Sequence, residues 1–202
     1  MKIVVVGGAG AMGGVWASRL QAGGAEVAIL DVSPPALEAI ARDGLVVERT
    51  DGTSDATALP ASANPADLGQ PDIVLFFTKS YHTRSAADLA APLVGPETTI
   101  ASLQNGRISH TNDAGPTFLG PYLDGAALDR AETLAGAMEA GGIRTTVTPD
   151  AKTEVWKKLI LNCATLPVAA LTRLYSGELG KPGPVRDLLD DLARESTAVA
   201  RA

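Results

Sequence analysis

This sequence predicts an α/β fold, a Rossmann-type doubly wound and mostly parallel sheet followed by a partial all-helical domain, and three observations carry the expectation. A β-branched start runs straight into a glycine-rich turn and a helical pattern; apolar runs at Glu26–Leu30, Ile73–Phe77 and Thr98–Leu103 alternate with helical stretches; and beyond Pro149 the texture is wholly helical. At 202 residues the chain holds one good domain, drawn at 1–149, and part of another, drawn at 150–202.

The first element is the one the rest serves. Val4 to Gly14 reads as a strand, a tight turn with Gly8, Gly10 and Gly13, and a helix start carrying Trp16, Ala17 and Leu20 inward. Such a turn suits a pyrophosphate. Gly8 is expected to permit the turn, Gly10 to let the backbone approach the phosphates, and Gly13 to let helix and strand sit close, with Ala9, Ala11 and Met12 completing the loop. The positive end of the helix dipole then faces the anion. Glycine spacing alone also fits an ordinary turn, but here a strand precedes it, a helix follows it, and an acid stands at the expected distance.

That acid is Asp31, at the end of the second strand, where a dinucleotide enzyme grips the ribose hydroxyls of its adenosine. A carboxylate there repels a 2′-phosphate. The alternative is a polar residue opening the turn Asp31-Val32-Ser33-Pro34-Pro35, with Ser33 capping the next helix.

A short helix is expected over 36–42, and two short strands at 45–48 and 57–59 around the turn at Asp51-Gly52. Ile73–Phe77 is a continuous apolar run of the kind buried on both faces, and it ends in Thr78-Lys79. A helix over 86–93 leads to the strand at 98–103, which ends in Gln104-Asn105-Gly106. The glycine loop, Asp31, Thr78-Lys79 and Asn105 thus all lie at carboxyl ends of strands, where ligands of open parallel sheets bind. Taken singly, Lys79 also reads as a solvated strand end and Asn105-Gly106 as an ordinary turn.

Residues 107–115 are too short and polar for a helical crossover, so either the sheet turns antiparallel at 117–119 or a segment is absent. Residues 124–140 form a helix with a stripe of Ala127, Leu128, Ala131, Leu134, Ala135 and Met138, closed by Gly141-Gly142, and 143–147 is the last strand. Asp150 then caps a helix that buries Val155, Trp156, Leu159, Ile160, Cys163 and Ala164, and Pro167 is expected to kink or end it. Lys158 and Asn162, four apart, share one face. An ammonium beside an amide suits a carbonyl reductase, in which the lysine polarises a ketone oxygen and supplies its proton. Spacing alone also allows a solvated lysine on an amphipathic helix. A further helix is expected from Val185 to Arg194 or beyond.

Composition narrows the function. A net charge of −6 gives no basic footprint for nucleic acid, and no apolar run approaches a membrane span. The first residues are already strand rather than signal peptide, so a cytoplasmic location is the expectation. Cys163 is the only cysteine and His82 and His110 are the only histidines, which excludes an internal disulfide and leaves no cysteine or histidine metal cluster.

Lys2-Ile3-Val4-Val5-Val6-Gly7-Gly8-Ala9-Gly10-Ala11-Met12-Gly13-Gly14, Phe77-Thr78-Lys79-Ser80-Tyr81, Leu103-Gln104-Asn105-Gly106, and the run from Val155 to Cys163 with Pro167 and Gly177-Glu178-Leu179 together resemble the ketopantoate reductase (2-dehydropantoate 2-reductase) family, in the family's order and over nearly the whole chain. The resemblance implies NADP(H)-dependent reduction of 2-dehydropantoate to pantoate on the way to pantothenate. It makes Lys158 the catalytic lysine and Asn162 the substrate-binding asparagine, with Lys79 and Asn105 at the nicotinamide and substrate end. Three features depart from it. Asp31 stands where the family carries a basic residue, which opens the way to NAD(H). Leu166 and Ser176 replace two asparagines. The family's additional helix and strand after its Asn-Gly, and its last helices, which bring a glutamate and a serine to the site, have no counterpart here, so a shortened reductase is expected. Beside a small 2-keto acid, the expected partner is a second copy of the chain, since a helical domain this small leaves an apolar stripe exposed. A related hydroxyacid dehydrogenase and a dinucleotide-binding module without turnover are the other two functions the sequence admits.

Overall fold

The structure is a computed structural model describing residues 1–49, 51–102, 117–122 and 128–202. Its strands and helices follow from local sequence. The run Lys2–Val6 forms β1; the glycine loop turns it into α1 (Ala11–Ala22); and Glu26–Leu30 forms β2. α2 (Pro34–Asp43) opens on two prolines, whose fixed φ suits a first helical turn. It closes at Gly44, whose φ of +77° lies in the left-handed region.

A hairpin follows, β3 (Leu45–Glu48) paired antiparallel with β4 (Ser54–Thr57). β4 starts three residues before the expected Thr57, because the register Leu45 to Thr57 and Glu48 to Ser54 is set by the turn at Asp51-Gly52. In that turn the Thr53 N–H and hydroxyl both donate to Asp51 Oδ1 at 2.9 and 2.6 Å, and these bonds hold the Asp51 carboxyl below its usual range. The two-residue β5 (Ala61–Ser62) has no sequence signal of its own and exists by pairing with Ile29 and Leu30. Then come β6 (Ile73–Phe76), α3 (Thr83–Ala90) and β7 (Thr99–Ser102).

Five of these strands make one parallel sheet in the order β5-β2-β1-β6-β7. The chain winds outward from β1 through β2 to β5, then returns to the other side of β1 and winds outward again. The reversal falls between β1 and β6, the switch point at which an open α/β sheet offers a crevice. Strand alternation supplies two cores. Ile3, Val5, Val27, Ile29, Ile73 and Leu75 pack against Trp16, Ala17 and Leu20 on one face; Val4, Val6, Leu30, Val74 and Phe76 pack against Ala86, Ala90 and Leu93 on the other. Each valine, leucine, isoleucine or phenylalanine among them contributes roughly 1.5–3 kcal/mol when fully buried.

β8 (Thr117–Leu119), α4 (Asp129–Ala140) and β9 (Thr145–Val147) complete the first unit. α4 begins five residues later than the expected Asp124, and 123–127 lie outside the described residues. Leu134 and Met138 join the Trp16 face. β8 does not turn antiparallel: it runs parallel to β9, in a two-stranded sheet separate from the main one.

The second unit comprises 120–126 and 148–202. α5 (Ala151–Thr172) is capped by Asp150, whose Oδ1 accepts the Thr153 N–H at 3.1 Å. Two expectations fail on this helix. Of the two outcomes expected at Pro167, a helix end is not found: α5 runs on for five further residues to Thr172, and Val168, directly after the proline, is buried. And the buried stripe is not the expected one: Ala164 is buried, but Val155, Trp156, Leu159 and Cys163 are exposed. α6 (Ser176–Leu179) and α7 (Pro184–Arg201) supply the remaining contacts, with Val168, Leu179 and Leu189 as a small core. Glu178 Oε2 accepts the Tyr175 N–H at 3.0 Å and Leu179 is buried, so the Gly-Glu-Leu stretch holds the turn between α5 and α7. Among the described residues no helix is long and apolar enough to cross a membrane.

Candidate functional site

The loop between β1 and α1 is shaped by three glycines, Gly7, Gly8 and Gly13. Gly7 has φ +78°, so the left-handed turn expected at Gly8 falls one residue earlier. Gly8 instead serves close packing, as a Cβ there would sit 2.7 Å from Ile29 Cγ1. Gly13 admits no side chain: its Cβ would overlap the Gly7 carbonyl oxygen and lie 2.8 Å from Gly8 Cα. The first turn of α1 and the loop that follows β1 therefore meet backbone to backbone.

Gly10 caps α1 with extended backbone at φ −77° and ψ 161°, and the first helical bond is Gly14 N–H to the Gly10 carbonyl at 2.8 Å. The N–H groups of Ala11, Met12 and Gly13 consequently have no carbonyl within the helix. Gly10 and Ala11 are exposed, the first turn carries no acidic residue, and a Cβ on Gly10 would meet nothing nearer than the Gly7 oxygen at 3.4 Å. Open donors, a helix dipole and an unobstructed approach fit the pyrophosphate of a dinucleotide.

Asp31 follows β2 directly, and its N–H donates to the Ser62 carbonyl at 3.2 Å, which ties it to β5. Its carboxylate is fixed from two sides: Oδ2 accepts the Ala9 N–H of the glycine loop at 3.0 Å, and Oδ1 accepts the Ser33 N–H at 3.1 Å. Asp31 is therefore more than a polar residue opening a turn, because it holds the loop in place. Ser33 occupies the cap position of α2 but makes no side-chain capping bond, contrary to that alternative. Its backbone N–H, together with that of Ala9, is a part of the site that residue types cannot reveal. Thr78 completes the group at the strand ends, as its Cγ2 would lie 3.2 Å from a Cβ on Gly7. Trp16 and Phe77 support this end of the sheet with ring centroids 5.4 Å apart. Lys79 follows Thr78 and is exposed. The structure thus brings the glycine loop, Asp31 and Thr78 together at the carboxyl ends of β1, β2 and β6. Asn105 lies outside the described residues.

Lys158 and Asn162 belong to the second unit, half-buried and one turn apart on α5. The two adjacent lysines differ in exposure. Lys157 is exposed and donates to Glu154 Oε1 at 2.6 Å, whereas Lys158 is half-buried, one helical turn before the half-buried Asn162. Among the described residues no group of three His, Cys, Asp or Glu side chains could hold a metal.

Two family models match the chain in succession, ketopantoate reductase PanE/ApbA over residues 3–148 and ketopantoate reductase PanE/ApbA C terminal over residues 150–202. A 2-dehydropantoate 2-reductase of Caulobacter vibrioides is 32% identical over all of this chain and 75% of its own length. Among solved structures, 2-dehydropantoate 2-reductase from Geobacter metallireducens GS-15 superposes with a TM-score of 0.84 at 26% identity, covering all of this chain and 76% of that one. D-mandelate dehydrogenase with NADH and anilino(oxo)acetate shares the fold, with a TM-score of 0.81 at 21% identity over all of this chain and 74% of that one.

Proposed function

The chain belongs to the ketopantoate reductase family, PanE/ApbA, and is an oxidoreductase acting on a CH–OH group; from that premise we propose that it reduces 2-dehydropantoate to pantoate with a nicotinamide dinucleotide, a step toward pantothenate. The observation that carries the reading is the nucleotide seat at the switch point, where open N–H groups of α1 and the fixed Asp31 carboxylate stand together.

When bound, a reduced nicotinamide dinucleotide would supply the hydride needed at the C2 carbonyl carbon. Every other task falls to this chain's side chains. Lys158 polarises the C2 oxygen and gives it the proton that completes the alcohol, while Asn162, one turn on, hydrogen-bonds the same substrate. Gly10 and Ala11 leave the N–H groups of the loop open to the pyrophosphate, and Asp31 accepts from ribose hydroxyls. Thr78, Lys79 and Asn105 serve the nicotinamide and substrate end. A second reading, a related hydroxyacid dehydrogenase on another small keto acid, is favoured by Leu166, half-exposed where the resemblance has an asparagine.

Loss of nicotinamide absorbance on adding 2-dehydropantoate to the chain and reduced cofactor tests the proposal. Turnover of 2-dehydropantoate supports it; turnover confined to other keto acids supports the second reading; and cofactor binding with no turnover of any keto acid identifies a nucleotide-binding module. Two copies of the chain are proposed to pair through the apolar side chains that α5 and α7 leave exposed, Val155, Leu159, Leu161, Leu166, Leu188 and Val199. Partners other than a small keto acid and a second copy of the chain, nucleic acid and bilayer included, are not proposed, and a cytoplasmic location is part of the proposal.

A further inference from the structure

The pyrophosphate is common to NAD(H) and NADP(H), so the glycine loop does not choose between them; the choice falls to the ribose end of the nucleotide seat. We infer that Asp31 and the double-proline start of α2 select NAD(H) and reject the 2′-phosphate of NADP(H), an inference that rests on the dinucleotide reading of the glycine loop.

The 2′-oxygen of the adenosine ribose is recognised at the end of β2. There Asp31 is held by the Ala9 and Ser33 N–H groups at 3.0 and 3.1 Å, so its carboxylate cannot swing aside without giving up two hydrogen bonds. Two carboxylate oxygens offer about four acceptor sites. Two sites are taken by the backbone, and the others remain for a ribose diol, which donates. A phosphate ester on the 2′-oxygen donates nothing at pH 7 and brings about two negative charges against the carboxylate.

What would be needed to offset that repulsion is missing from the following segment. A 2′-phosphate is stabilised by a cation or by open N–H groups at a helix start. From Val32 to Ala41 there is no lysine, arginine or histidine. Arg42, the first cation, is turned to its own neighbour, with Nε 2.9 and 3.0 Å from the two Asp43 oxygens and Nη2 at 2.6 Å. The start of α2 is equally poor in donors. Pro34 and Pro35 have no N–H, and that of Ser33 is committed to Asp31. The same residues that shape this turn for a carboxylate and a diol leave it without a cation to set against a phosphate, and without the first two N–H groups of a helix start.

Direct binding decides the matter without recourse to turnover. The purified chain is titrated with NADH and with NADPH, following nicotinamide fluorescence, and NADPH is expected to bind at least about thirtyfold more weakly. The double variant Asp31→Ser, Val32→Arg is expected to reverse the order, since Val32 is 71% exposed and has room for a guanidinium. Asp31→Asn, which keeps a carbonyl acceptor for the loop, is expected to narrow the gap by removing the charge alone. Equal or tighter binding of NADPH by the unaltered chain overturns the inference while leaving the dinucleotide reading intact. Failure to bind either cofactor overturns both.

Discussion

Replacing Gly13 by alanine tests the backbone contact on which the nucleotide seat depends. The added methyl carbon would overlap the Gly7 carbonyl oxygen and stand 2.8 Å from Gly8 Cα and 3.0 Å from the Gly7 carbonyl carbon. All three are backbone atoms, and Gly7 is itself committed through its N–H to the Leu30 carbonyl at 2.9 Å, so no side chain can rotate away to make room. Relief requires α1 to move off β1, loosening Trp16, Ala17 and Leu20, all essentially fully buried. Overpacking of this kind costs about 2–3 kcal/mol, which for a chain of this size lowers the melting temperature by about 4–12 °C. The assay is a thermal melt followed by circular dichroism, beside an NADH titration of the still-folded protein. Gly10→Ser is the matched control. Its Cβ meets only one atom at 3.4 Å, its backbone is already extended, and serine is a good helix cap, so stability should change by less than about 1 kcal/mol while the side chain obstructs the phosphates and weakens binding. A Gly13→Ala protein that melts with the parent, or a Gly10→Ser protein with undiminished affinity, would refute the assignment of these two glycines.

The remaining predictions concern the second unit. Lys158→Ala should abolish turnover and leave NADH affinity nearly unchanged; equal loss of both would mark Lys158 as structural. Asp150 is held below the usual carboxylate range by the hydroxyl and then the N–H of Thr153, so its contribution to α5 is complete above the ordinary carboxylate pKa and disappears as pH falls through the lowered one. Asp150→Asn should therefore remove part of the acid-side loss of helicity while behaving like the parent near pH 7, as read by circular dichroism against pH. Light scattering should give the mass of a dimer, and Leu159→Lys with Leu166→Lys, both substituting exposed side chains, should give a monomer that keeps its fold.

Several elements were legible because their causes are local. Lys2–Val6, Glu26–Leu30 and Ile73–Phe76 are β-branched or apolar runs long enough to be strands wherever they pack, and the glycines behind the first run leave few alternatives to a turn against a helix. The places of Asp31 and Thr78 at strand ends followed from strand length alone. Asp150 was readable as a cap because the competition it wins lies within three residues of chain.

Other features depend on what the chain meets far away. β5 is two residues long and exists only because Ile29 and Leu30 present an open edge to it. Val155, Trp156 and Leu159 look as fit for a core as Ala164 and Val168, and only the positions of α6 and α7 decide which are covered. Pro167 reads as a kink or a helix end, yet the helix continues past it to Thr172, with Val168 buried. The sequence by itself determined which residue types each unit offers: a glycine loop and an acid at a strand end in the first, a lysine four residues before an asparagine in the second. Tertiary structure decided which backbone groups hold that acid, which of two adjacent lysines is half-buried and which glycine bears the left-handed turn, because each depends on contacts between segments distant in sequence.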